Sequence, residues 1–312
     1  MTAFPLRGTR VGVFGKGGAG KSTVVVMLAV ALHEHGYKVV VVDADASNTG
    51  LHLALGIDSE PASLLEHFGG SVFSGGEVTC PVDDPRPLLG AEFDLRQLPQ
   101  KCYAENRDGI GLVVAGKLGG MGPGAGCDGP VAKIARDLCV VSATEDVVTL
   151  LDIKAGLEDS ARGVVTNLDQ AVVVVDPTVA AIQIAAQMKR TVEQIQAGTP
   201  PATAHLEDPQ LRTLTRRIFR DARIRRVLVV ANRVEGAVME RDLRNKLAQE
   251  NLTPTGIIYA DPLISAAWLK GVAMTWTPVG HQLRRIVVAL ESGASIHLTG
   301  RHESRMRRVG RG

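Results

Sequence analysis

The stretch VGVFGKGGAGKST, residues 11–23, sets two lysines among glycines. Gly15, Lys16, Gly17, Gly18, Ala19, Gly20, Lys21 and Ser22 fit the pattern G-x-x-x-x-G-K-[ST], with Thr23 following. Such a loop binds anions. Glycines let backbone N–H groups converge on phosphate oxygens, and the helix that follows adds its dipole. Lys21 is expected to reach the β- and γ-phosphates, and the Ser22 hydroxyl to ligate Mg²⁺. One lysine suffices for that. Lys16, near the start of the loop, is either a solvated side chain or has a use outside its own loop.

Three carboxylates could complete the site. Asp43 and Asp45 close an apolar run in VVDADASN, and Asp152 closes TLLD. In open α/β sheets, ligands bind beyond the carboxyl ends of strands. Mg²⁺ takes octahedral oxygen ligands and keeps several waters, so an Asp touching those waters would finish its shell. A lone Asp at a strand end is also an ordinary turn former. Three beside a phosphate loop point to the metal. Asn232, in ANRVE, follows the apolar run VLVVA. An Asn amide can pair bidentately with the N6/N7 edge of adenine.

These residues need a scaffold. Short apolar runs at 10–15, 38–43, 109–116, 146–152, 170–176, 227–231 and 256–259 read as buried strands. Helices are expected at 21–35, near 62–68, at 131–138 and 179–195, near 237–249, and at 280–291. Alternation of the two predicts an α/β fold: a doubly wound, mostly parallel sheet with helices on both faces. One domain is expected over residues 1–295, with an insert near 197–226 whose end carries seven Arg. Residues 296–312 read as a basic tail, expected to be disordered.

Composition narrows the classes. The chain has 312 residues, 45% hydrophobic and only 4% aromatic, so Val, Leu, Ile and Ala must build the core. A net charge of +2 gives no global field for nucleic acid or membrane. Four scattered cysteines without a CxxC do not make a disulfide framework. No signal-like core and no run of about 18 apolar residues appears, so the expectation is a cytoplasmic protein without stable membrane insertion.

GKGGAGKST resembles the deviant phosphate loop, K-G-G-x-G-K-[ST], of the MinD, ParA and nitrogenase iron-protein group of P-loop NTPases. The resemblance implies ATP and Mg²⁺ as cofactors, slow hydrolysis, and a homodimer formed on ATP binding. Lys16 would then cross the dimer interface to the partner's phosphates. It implies a role for Asp43 near the outer shell of the metal and for Asp45 on the attacking water. Asp152 would be the Walker B aspartate, and the Gly156 N–H would meet the γ-phosphate. Asn232 would read the base, and Pro262 would pack near it or serve as a plain turn proline. GTP-binding relatives carry N-K-x-D; Glu235 stands in the last place here, which favours ATP.

Residues 98–130 and 150–163 resemble the CO-dehydrogenase nickel-insertion ATPases, the CooC type. That implies metallocentre maturation with a client protein. Those proteins carry Cys-x-Cys-Pro where this chain has Cys127, Asp128 and Gly129. A transition metal at the dimer axis would find two thiolates, Cys127 and its mate, with Asp128 as a source of oxygen ligands. Otherwise Cys127 is an idle thiol or half of a disulfide. Lys154 stands where that branch has an acid, and Asp159 where it has His. An iron–sulfur cluster needs more cysteines than this region holds. Two other functions remain open: a DNA-positioning ATPase using the Arg-rich insert, and a nucleotide-sensing switch with neither metal nor DNA. A charge run is more often a solvated surface, so nucleic acid is not favoured.

Overall fold

The computed structural model describes residues 4–70, 78–117, 127–144, 146–274 and 280–294. β1 (Thr9–Gly15) runs into a loop and then α1 (Lys21–Glu34). β2 (Lys38–Ala44) is followed by the one-turn helices α2 (Leu51–Ala54) and α3 (Leu64–His67). Short strands β3 (Glu92–Asp94) and β4 (Tyr103–Glu105) precede β5 (Gly111–Val114). Next come α4 (Gly129–Asp137), β6 (Cys139–Val141), β7 (Val147–Ile153) and α5 (Glu158–Ala161). β8 (Gln170–Val175), α6 (Val179–Gln196), α7 (Pro209–Arg220) and β9 (Arg226–Val234) follow. The described chain ends with α8 (Gly236–Gln249), β10 (Pro254–Tyr259), α9 (Pro262–Lys270) and α10 (Gly280–Ala294).

Eight strands make one sheet in the order β10-β9-β8-β1-β7-β2-β5-β4. All neighbours are parallel except β4 with β5, at one edge. This is the doubly wound, mostly parallel α/β sheet the apolar runs predict. β1, β7 and β8 are buried along their whole length, as strands covered on both faces must be. Side chains alternate between the two faces. Val39 and Val41 join Val24 and Leu28 of α1 in one cluster, while Val40 and Val42 join Ile134 and Ala135 of α4 in the other.

Three features go beyond the sequence expectation. The 197–226 insert contains α7, which begins at Pro209 behind an Asp208 cap and buries no residue. α9 was not expected; Asp261 caps it by accepting from the Leu263 N–H at 2.8 Å, with Pro262 at its first position. β3 and β6 also pair, in a separate two-stranded sheet. The expected tail at 296–312 lies outside the described residues. Among the described residues no helix is long and apolar enough to cross a membrane.

Candidate functional site

β1 is the pivot of the site. It lies between β7 and β8, where successive connections leave in opposite directions. That switch point is where open α/β sheets bind ligands. Its loop turns into α1 through Gly20, at φ 91°, and α1 has no side-chain cap. A Cβ on Gly20 would collide with the Asn232 amide, and one on Gly15 with the Val174 carbonyl. The N–H groups of Gly17, Gly18 and Gly20 have no acceptor among the described residues. They and the first N–H groups of α1 form an anion cradle. Lys21 is 7% exposed, yet its ammonium has no hydrogen bond or ion pair among the described residues.

The carboxylates meet this loop from the neighbouring strands. Asp43 of β2 and Asp152 of β7 are register partners, and Val13 of β1 pairs with Asp152 on the other side. Ser22 Oγ donates to Asp152 Oδ2 at 2.6 Å and accepts from Asn48 Nδ2 at 2.8 Å. Asp152 Oδ1 is buried with no partner among the described residues. Burial pushes the Asp152 carboxyl up to about 6, against the Ser22 bond and the Lys21 charge. Burial likewise pushes Asp43 up to about 7, against Lys117. The Ser22 hydroxyl and the orphaned Asp152 oxygen, with Asp43 in register beside Asp152, form a hard-oxygen set that fits Mg²⁺.

Asp45 is 8% exposed and lines the cleft. Its Oδ1 accepts from the Ser47 N–H at 3.1 Å and the Ser47 hydroxyl at 2.7 Å. Asp43 does not line the cleft. Its Oδ2 accepts from Lys117 Nζ at 2.6 Å.

The cleft has a volume of about 860 Å³, within the range of small-molecule sites. Its far wall is β9, β10 and α9. Asn232 Nδ2 donates to the Ala19 carbonyl at 2.8 Å, and Arg233 Nη1 to the Gly18 carbonyl at 2.6 Å. Arg233 adopts φ 58°, an uncommon conformation for a side-chain-bearing residue. Trp268 Nε1 donates to Thr23 Oγ1 at 2.8 Å and ties α9 to α1. Pro262 starts α9 but does not line the cleft, whereas Ala260, Asp261 and Ile264 do. Asn48, Lys117, Arg233 and Trp268 were missed from the sequence. Asn48 alone carried a local signal, lying three residues after Asp45.

Two other residues assigned from the phosphate-loop resemblance are engaged within the chain. Lys16 Nζ lies 3.6 Å from Asp176 Oδ2 at the end of β8. The Gly156 N–H donates to the Gly15 carbonyl at 3.1 Å, so a phosphate contact there requires that bridge to open.

Around Cys127 the structure corrects one expectation. Cys127 is exposed, but Asp128 does not offer oxygen ligands. Its carboxylate is taken by Lys154 Nζ and, at 2.8 Å, by Arg162 Nη1. Arg162 Nη1 also lies 2.9 Å from Asp159 Oδ1. Burial works to raise the Asp128 carboxyl, but the Lys154 hydrogen bond and the Arg162 charge outweigh it and hold it low. Lys154, which replaces an acid of the CooC type, thus neutralises Asp128 beside Cys127. A Cβ on residue 129 would lie 2.7 Å from Cys80 Sγ, so Cys80 already fills that space. Among the described residues no group of three or more His, Cys, Asp or Glu could hold a metal.

Comparisons with known proteins agree with this geometry. Residues 13–272 match the CbiA family, described as the CobQ/CobB/MinD/ParA nucleotide binding domain. An uncharacterized ATP-binding protein of Methanocaldococcus jannaschii is 30% identical over 188 residues, 60% of this chain and 74% of the relative. The carbon monoxide dehydrogenase accessory protein CooC of Rhodospirillum rubrum is 31% identical over 186 residues, 58% of this chain and 67% of the relative. The cell division ATPase MinD of Pyrococcus furiosus shares the fold with a TM-score of 0.56 at 17% identity, covering 91% of this chain and 99% of MinD.

Proposed function

The chain belongs to the CobQ/CobB/MinD/ParA nucleotide-binding family as a CooC-like ATPase, and from that premise we propose a Mg²⁺-dependent, ATP-driven homodimer serving metallocentre maturation in the cytoplasm. The observation that carries the nucleotide chemistry is the Ser22–Asp152 hydrogen bond with an orphaned Asp152 oxygen, close to an unpaired Lys21. Phosphoryl transfer needs mainly positioning and charge stabilisation. Lys21, the N–H groups of Gly17, Gly18 and Gly20, and those of the first turn of α1, including Ser22 and Thr23, hold the phosphates. Ser22, Asp43 and Asp152 hold Mg²⁺, the latter two partly through water. Mg²⁺ bound there neutralises charge on the β- and γ-oxygens. Asp45, held by Ser47, orients the attacking water or takes its proton. Asn232 and Pro262 frame the base, and the Gly156 N–H turns from Gly15 to the γ-phosphate.

Lys16 leaves Asp176 and reaches the partner's nucleotide. Enclosing the phosphates between subunits makes each ammonium more effective than in water. The maturation role is supported by the likeness to CooC and by the exposed Cys127, the candidate contact for a transition-metal cargo. The four free thiols suit a reducing compartment.

The test is mass by light scattering with and without ATP and Mg²⁺, with metal analysis of the same peak. The expected result is a doubled mass with ATP, and a Lys16→Gln protein that stays single. About one metal per dimer is expected, lost in Cys127→Ala. Dimerisation and hydrolysis unchanged in Lys16→Gln remove the cross-subunit role. No metal on the ATP-bound protein removes the cargo. A second function is favoured by one observation, the arginines of α7, a helix with no fully buried residue. ATP-dependent, salt-sensitive retention on DNA would move the function there.

A further inference from the structure

Lys117 sits three residues beyond the end of β5, outside the cleft lining. The Ala115 N–H donates to the Asp43 carbonyl at 2.9 Å, which carries the chain alongside the end of β2. There the Lys117 ammonium makes three hydrogen bonds: to Asp43 Oδ2 at 2.6 Å, to the Asp45 carbonyl at 3.0 Å and to the Asn48 carbonyl at 2.6 Å. An ammonium has three donors, and all three are used. The acceptors span residues 43–48, the segment that presents the Asp45 carboxylate and the Asn48 amide to the cleft. Asn48 in turn holds Ser22, and Ser22 holds Asp152.

We propose that Lys117 is a positioning residue for ATP hydrolysis, pinning the 43–48 segment so that Asp45 and Asn48 face the nucleotide. The proposal rests on the placement of ATP against Lys21. Neutralising Asp43 is only part of the work. A lone charge would need one contact, whereas two of the three bonds go to main-chain carbonyls that need no neutralising. Three acceptors converge on one point, which suits a tetrahedral ammonium. A planar guanidinium cannot aim its fork at all three. Lys117 thus acts through other residues, and its loss should slow turnover more than it weakens binding.

The test is steady-state ATP hydrolysis by full-length Lys117→Ala with Mg²⁺, alongside equilibrium binding of a fluorescent ATP analogue. The expected kcat is at least ~10-fold lower, with analogue affinity within ~3-fold of the original. Added propylammonium is expected to restore turnover in a saturable way. An unchanged kcat overturns the proposal, and so does an affinity loss as large as the kcat loss. Should Lys117→Ala fail to fold, Lys117→Arg keeps the charge beside Asp43. It is expected to fold with a lowered kcat, and an unchanged kcat there also overturns the proposal. Lys21→Ala separates the premise: unchanged analogue binding in that variant overturns the nucleotide placement, not the role of Lys117 in turnover.

Discussion

Lys21 opens α1 and Asp128 immediately precedes α4, and both are buried charges, 7% and 6% exposed. Their surroundings are opposite. Lys21 has no counter-charge in contact, and the oxygen of Asp152 across from it is orphaned. Asp128 is bracketed by Lys154 and Arg162, and Arg162 is shared with Asp159. A buried charge costs several kcal/mol unless it is paired. The first region leaves that cost for a ligand to offset. The second has already settled it within the chain. The same residue types thus mark a site in one place and a closed structural cluster in the other.

The largest effect that could break this contrast is on the open side. Lys21→Ala is expected to weaken ATP-analogue binding by ~1,000-fold, about 4 kcal/mol, in equilibrium titration. Its unfolding free energy should change little, because the packing of the Lys21 stem is lost together with a buried ammonium that has no hydrogen bond or ion pair among the described residues. On the closed side, Asp128→Ala removes the anion that Lys154 and Arg162 share, leaving Arg162 with Asp159 and Lys154 with the exposed Glu158 alone. Urea unfolding should show a loss of about 3 kcal/mol. Lys154→Ala should cost less, since Arg162 still holds Asp128.

A smaller effect sharpens the closed side through pH. Burial pushes Asp159 up to about 6 from its ordinary 3.8, against the Arg162 hydrogen bond. Between those values the folded chain holds a proton that the unfolded chain has released. The stability this contributes is present below about pH 3.8 and is lost as pH rises through about 6. Asp159→Asn should therefore gain about 1–2 kcal/mol over the parent at pH 7 and nothing at pH 3.5, by urea unfolding at both. The smallest effect belongs to Cys127, which is exposed. Cys127→Ser should change unfolding free energy by less than about 0.5 kcal/mol. A larger loss would show that this thiol belongs to the closed cluster.

The open side was legible in the sequence because its signals are contiguous. Gly15 to Ser22 is one unbroken pattern, and Asp43 and Asp152 end apolar runs that must be strands. The sheet follows from the same runs. The closed side was not legible, because its partners are apart along the chain: Lys154 is 26 residues from Asp128. The same holds for one partner on the open side, Lys117, 74 residues from Asp43. From the sequence Lys154 reads as a departure and Asp128 as a source of oxygen ligands; the fold pairs the two. Arg10 shows the same limit. The sequence places Arg10 at the start of a buried strand without naming its partners; it is 2% exposed and donates to the Ala135, Arg136 and Asn167 carbonyls. Those carbonyls include the end of α4, whose orphan acceptors no local pattern announces.

The crowding of Gly129 by Cys80 constrains the order in which this sequence can change. A side chain at 129 would have its first carbon 2.6 Å from the Cys80 Cβ and 2.7 Å from its sulfur. A descendant that gained cysteine at 129 first would pass through an overpacked intermediate, at a cost of about 1–3 kcal/mol. One that first replaced Cys80 with glycine would meet only the backbone Cα of residue 80, at 3.1 Å. The route between the single-thiol loop seen here and a Cys-x-Cys loop therefore runs through position 80, nearly fifty residues upstream of the loop.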